Sequence, residues 1–126
     1  MNDFVKHLQT VERTLSEEKG GFNLFALFLR EDAAGKWDLL IAAPWVEKNK
    51  ADALKRVTKE LQKALDKKEL LRLSRLVIID QSNPALSAFQ RAIYVEHSDA
   101  EIKDSNFFGL QIKHAHVITS RRTESA

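Results

Sequence analysis

The stretch FNLFALFLR, from Phe22 to Arg30, decides the fold of this 126-residue chain. It is apolar at almost every position, and it is bounded by a glycine pair and by an acidic pair. Such a run of β-compatible residues is typical of a strand that is covered on both faces. The chain then returns as WDLLIAA, from Trp37 to Ala43. Because the connection between the two runs is short, we predict an antiparallel hairpin.

Apolar stripes with helical spacing flank this hairpin. They predict helices over 2–18, 50–67 and 84–94. The run RLVIID, from Arg75 to Asp80, predicts a third strand, which a helical crossover makes parallel to the second. Residues 111–119 predict the last strand. The polar, acidic segment 96–105 predicts a loop with at most a short strand around Ile102.

These elements predict one α/β domain over 1–126, in the order α-β-β-α-β-α-β. The sheet is mixed, with an antiparallel hairpin near the N-terminus and helices packed beside it. The chain is 44% hydrophobic with four glycines and two prolines, so we expect little disorder outside a frayed tail at 120–126.

Three absences bear on location. The chain has no cysteine, which favours a reducing compartment. No apolar run approaches the ~20 residues that a membrane-spanning helix needs. The first residues lack the basic and apolar regions of a secretory leader. We therefore expect a cytoplasmic protein that has no membrane partner.

Charge is unevenly distributed along the chain. The net charge is +2, but residues 47–75 carry ten basic and five acidic side chains, whereas residues 76–110 carry two and five. A basic segment between acidic ones indicates complementary surfaces, as in a homo-oligomer or a complex with a protein partner. A nucleic-acid footprint usually makes a whole face basic, so nucleic-acid binding is only weakly supported.

His114 and His116 are the most suggestive chemical feature. In a strand they lie on one face, about 6.6 Å apart along the chain, and both can titrate near neutral pH. We expect that face to include Ile112 and Ile118. The simpler interpretation is structural, because half-buried histidines usually donate to a carbonyl or carboxylate and only stabilise packing.

The chemical alternative is a divalent metal site with Asp80 as third ligand. Asp80 follows a buried parallel strand, where open α/β sheets bind ligands. Glu101-Ile102-Lys103 also resembles the E-x-K element of PD-(D/E)xK nucleases. That resemblance implies a metal-dependent enzyme acting on a phosphodiester or nucleotide. It covers only these positions, and the helix predicted between Asp80 and Glu101 departs from the family's direct strand connection.

Two further features suggest partner contacts. Trp45 follows Pro44 at a corner of the chain, and corner tryptophans often anchor interfaces. Lys55, Lys59 and Lys63 form a basic helix face, although no aromatic residue accompanies them for base stacking. With no glycine-rich phosphate loop or thiol nucleophile in the chain, we expect a non-enzymatic module that acts by assembly or partner binding. The metal-dependent enzyme is the alternative.

Overall fold

The structure, a computed structural model, describes residues 2–31 and 35–122. Its helices are α1 (Asn2–Lys19), α2 (Pro44–Lys48), α3 (Lys50–Ala64), α4 (Lys67–Arg72) and α5 (Pro84–Ala92). Its strands are β1 (Leu24–Arg30), β2 (Trp37–Ala42), β3 (Leu73–Ile78), β4 (Ala100–Phe107) and β5 (Leu110–Ser120). The predicted α/β class and the approximate order of elements are confirmed.

The five strands form one mixed sheet in the order β3-β2-β1-β5-β4. The predicted hairpin is present, because β1 pairs antiparallel with β2. The predicted crossover is also present, because β3 pairs parallel with β2. β5 adds to the other side of β1, and β4 pairs antiparallel with β5. β1 is therefore the central strand, and β3 and β4 are the two edges.

Each face of the sheet buries its own apolar cluster, as the unbroken apolar run of β1 requires. On one face, Phe25 and Leu27 pack with the apolar stripes of α1 and α3. On the other face, Leu24 and Phe28 pack with Leu86, in α5, and its neighbours. A strand that is apolar on both sides is stable only when both sides are covered.

The helical segment predicted over 50–67 is interrupted. α3 begins where the Asn49 side chain accepts from the backbone N–H of Asp52, which is the cap that the sequence predicts. It ends at Ala64, and α4 then begins at an Asp66/Glu69 capping box. Because a capping box satisfies the free N–H groups of a new helix, the chain restarts here instead of continuing one helix.

The prediction over 96–105, a loop with at most a short strand around Ile102, is right for 96–99 but underestimates the strand. Residues 100–107 form β4, which continues into β5 through a two-residue turn at Phe108 and Gly109. Both turn residues have positive φ, of 55° and 73°, as a type I′ hairpin requires. The alternating polarity of β4 belongs to an edge strand with one face in water, which resembles a loop in composition.

The prediction that Ile112 shares a face with the histidines is wrong. The register of β5 against β1 shifts by one residue between Leu29 and Arg30. Such an irregularity reverses the side-chain alternation. Ile112 therefore packs in the cluster beside α5, whereas His114 lies against Trp37 in the opposite cluster.

The C-terminal end of β5 is anchored to the chain that precedes β1. Ser120 is the last residue of β5 and is buried, and Arg121 donates to the Phe22 carbonyl. The rest of the predicted frayed tail, 123–126, and positions 32–34 of the hairpin connection lie outside the described residues. Across the described ranges, we find no helix with the length and apolar character needed to cross a membrane.

Leu27 provides a test of the central strand, because its side chain is fully buried. Leu27→Ala should lower the free energy of unfolding by about 2–5 kcal/mol, through lost burial and the cavity left behind. Urea denaturation followed by circular dichroism measures the change. Thr58→Ala, at an exposed position of α3, is the control and should change stability by less than about 0.5 kcal/mol. A loss below about 1 kcal/mol at Leu27 contradicts the central placement of β1.

Candidate functional site

The histidine pair lies where β1 ends and β2 begins. His114 pairs with Leu29 of β1 and His116 with Leu27, so both imidazoles are on the sheet face that α1 and α3 cover. Their ring centroids are 4.7 Å apart. The prediction that the two rings share one face is therefore confirmed.

Each histidine has a carboxylate partner from the neighbouring edge. His114 Nε2 lies 2.7 Å from Glu101 Oε2, and His116 Nδ1 lies 2.9 Å from Asp99 Oδ1. Glu101 lies in β4, and Asp99 is the residue immediately before that strand. The hairpin brings these acids close because Glu101 is directly opposite His116 in the register. A nitrogen of each histidine and an oxygen of Glu101 lie within 4.8 Å of one another, close enough to share one metal ion.

Trp37 forms the apolar wall of the site. Its ring centroid lies 5.6 Å from that of His114 and 5.7 Å from that of His116. Behind this wall His116 is almost completely buried, with 7% of its side chain exposed. Its Nε2 is buried and has no hydrogen-bond partner among the described residues. An unsatisfied buried polar atom costs free energy, and this nitrogen shares that state with Asn23 Oδ1 and Trp45 Nε1. Of these three atoms, it is the one that belongs to the histidine pair.

The electrostatics of the site favour an ionised Glu101. The hydrogen bond with His114 lowers the pKa of the Glu101 carboxyl below its usual value, and the charge of Lys103 acts in the same direction. Lys103 Nζ is 3.9 Å from Glu101 Oε2, and 69% of the Lys103 side chain is exposed. The site therefore contains a carboxylate beside two imidazoles, and the exposed ammonium group of Lys103 lies at its edge.

Asp80 lies far from this site. β3 runs parallel to β2, and Ile78 pairs with Ile41, so Asp80 follows the end of β3 that lies away from Trp37. Two strands, β2 and β1, also separate β3 from β5. Asp80 Oδ1 accepts from Lys50 Nζ at 2.8 Å, and this hydrogen bond raises the pKa of Lys50. The structure thus brings together two of the three predicted ligands and places Glu101 where Asp80 was expected.

Asp99 and Trp37 were not among the predicted site residues, although the sequence holds a signal for one of them. If Phe108-Gly109 is identified as a two-residue turn, counting back along both strands places Glu101 opposite His116 and Asp99 just beyond it. Trp37 has no comparable signal, because its contact with the histidines depends on the order of β2, β1 and β5 in the sheet.

The predicted partner-contact residues lie elsewhere. Lys55, Lys59 and Lys63 are exposed on α3, as expected for a solvated helix face. Trp45 is partly buried in α2 and packs edge-to-face on Phe22, with ring centroids 5.4 Å apart. Whether these four residues bind a partner stays a prediction.

The phosphodiester hypothesis requires several acids and a lysine around one ion. Glu101 and Lys103 are near the histidine pair, but Asp80 is at the opposite end of the sheet's central strands. Magnesium sites in such enzymes use carboxylates together with substrate phosphates. Two imidazoles and one carboxylate are instead typical of transition-metal ligands.

Comparison of this chain with protein-family models, with curated proteins and with solved structures found no match.

Titration of Glu101 tests the geometry of the site. Carboxyl NMR should give a midpoint below the ordinary value of 4.5, and His114→Ala should move it back toward that value, since the hydrogen bond is lost. The stability contributed by the ionised group is present above pH 4.5 and is lost as pH falls through the lowered pKa. His7→Ala, which removes a histidine that contacts a different carboxylate, Glu69, serves as control and should leave the midpoint unchanged. An unchanged midpoint in His114→Ala contradicts the contact.

Proposed function

We propose that this protein is a non-enzymatic module that acts by assembly, and that it pairs with a second copy of itself along β3. The observation that supports the proposal is the chemistry of that edge. β3 ends the sheet, and its outer backbone N–H and C=O groups have no strand beside them in the described chain. An unprotected edge of this kind is a template for pairing with another strand.

The side chains of β3 favour burial in an interface. Leu76 and Ile78 are partly buried against one cluster, and Val77 against the other, so both faces of the strand leave apolar surface accessible. Just before the strand, Leu71 is 68% exposed. Covering this surface is favourable at roughly 25 cal/mol per Å² of apolar area.

The other edge of the same sheet has the opposite character. β4 exposes Glu101, Lys103 and Asp104, and the backbone of Asp104 is left-handed, with φ of 50°. Charges and backbone irregularities are the usual devices that prevent pairing at an edge strand. β4 thus has three exposed charged residues, whereas β3 has one, Arg75, which is paired with Asp38. This difference favours a contact at β3.

Charge favours a second copy in antiparallel orientation. The strand begins directly after the basic helix α4 and its Arg72, and it ends beside Glu47 and Asp80, of which Asp80 is paired with Lys50. Two antiparallel copies of β3 place the basic start of one strand beside the acidic end of the other. A two-fold axis then uses the same patch on both subunits, which is the commonest form of homodimer.

The absence of cysteine supports a cytoplasmic location for this assembly, since proteins of reducing compartments are rarely stabilised by disulfides. The charge pattern supports a protein partner over nucleic acid, because half of the twenty basic residues are concentrated in residues 47–75 and no aromatic stacking residue accompanies them there.

Size exclusion with light scattering tests the assembly. At micromolar concentration we expect a mass of about twice 14.4 kDa. Leu71→Lys combined with Ser74→Lys should weaken the dimer at least tenfold, because lysine on an edge strand opposes pairing and both positions are exposed. Asn106→Lys, an equally exposed change on the opposite edge, should leave the mass unchanged. A wild-type protein that remains a 14.4 kDa monomer contradicts the proposal.

A further inference from the structure

We infer that His114, His116 and Glu101 form a binding site for a zinc ion, with Asp99 as the residue that positions His116. This inference is independent of the proposed assembly, because the site lies in the half of the sheet away from β3. It requires no catalytic reaction.

The first argument is the set of donor atoms. Two imidazole nitrogens and one carboxylate oxygen lie within 4.8 Å of one another. Zinc commonly binds three protein ligands of these types, and a water molecule completes the tetrahedron. Magnesium and calcium prefer oxygen ligands and do not select imidazole. The ligand chemistry therefore points to a divalent transition metal.

The second argument is the free nitrogen of His116. Its Nδ1 is bonded to Asp99, so Nε2 is the nitrogen available for a ligand, and Nε2 is buried without a hydrogen-bond partner in the described chain. A metal-binding histidine usually donates its other ring N–H to a carboxylate, which fixes the ring and makes the free nitrogen a better ligand. His116 and Asp99 have this arrangement before any metal binds.

The third argument is the ability of the ligands to close around an ion. Zinc–nitrogen and zinc–oxygen bonds of about 2.0–2.2 Å place tetrahedral donor atoms roughly 3.3–3.6 Å apart. Separations of up to 4.8 Å must therefore shorten by somewhat more than 1 Å, whereas the 2.7 Å between His114 Nε2 and Glu101 Oε2 must lengthen. His116 is held by Trp37 and Asp99, whereas the side chains of Glu101 and His114 are 49% and 25% exposed and are able to move toward it.

Zinc binding also displaces the proton that lies between His114 and Glu101. The hydrogen bond of 2.7 Å places one proton between Nε2 and Oε2. Zinc replaces that proton, which leaves for solvent, and both atoms become ligands. Lys103, whose amino group is near the same carboxylate, is mostly exposed and extends into water when the ion binds.

Calorimetric titration of the whole protein with zinc chloride at pH 7.5 tests the site. We expect one ion per chain, and no heat above background with magnesium chloride. His116→Ala and Glu101→Gln should each weaken zinc binding by at least tenfold, and Asp99→Ala by about 10- to 100-fold. The Glu101→Gln variant should fold normally, because Glu101 is half exposed. Weaker zinc binding by this variant is therefore not explained by misfolding. Circular dichroism verifies the fold of each variant.

His7→Ala is the matched control. His7 also contacts a carboxylate, Glu69, at 2.8 Å, but it has no second histidine beside it in the described structure. Zinc binding by this variant should equal that of the wild type.

Substitution of cobalt for zinc adds a spectroscopic measurement, since cobalt held by two imidazoles in a tetrahedral site absorbs in the visible range. The inference is overturned if the wild type binds no zinc, or if wild type, His116→Ala and Glu101→Gln bind it equally. The edge variants of β3 should bind zinc normally, so failure of one proposal is distinguishable from failure of the other.

Discussion

The burial of β1 on both faces is the constraint on which the rest of the structure depends. From Leu24 to Phe28 every side chain of this strand is inaccessible to solvent. A strand of this kind cannot lie at an edge or under a single layer of helices, because apolar side chains would then face water. β2 and β5 must therefore flank it within the sheet. α1 and α3 must cover one face, and α5 with the β4–β5 turn the other.

Placing β1 in the middle leaves β3 and β4 as edges, and the two edges have different chemistry. β4 has exposed charges and a left-handed residue at Asp104, so its outer side is poorly suited to pairing. β3 is short and apolar, and its arginine, Arg75, is turned toward the buried carboxylate of Asp38. Because Asp38 belongs to β2, this ion pair anchors the edge strand to the sheet, while half of the Arg75 side chain stays exposed.

The four histidines all contact carboxylates, but they do so with different consequences. His7 joins α1 to Glu69 at the start of α4, and His97 joins the segment before β4 to the buried Glu12 of α1. These two contacts connect α1 to α4 and to the segment before β4. At His116 the contact with Asp99 uses one nitrogen and leaves the other buried without a partner. Histidines that bind metal usually donate one ring N–H to a carboxylate and keep the other nitrogen free in this way.

The sequence by itself determined the elements whose cause is local: the strand β1, the hairpin with β2, the helices α1, α3 and α5, and the cap at Asn49. It also determined that His114 and His116 share a face, because side chains two residues apart in a regular strand point the same way. It indicated only a short strand around Ile102 where the whole of β4 lies, because an edge strand with one face in water has the composition of a loop. Only the tertiary structure decided that Glu101, and not Asp80, lies beside the histidines. The register of the β4–β5 hairpin brings Glu101 opposite His116, whereas the strand order separates β3 and Asp80 from the histidines. Strand order is set by packing between residues far apart in the chain.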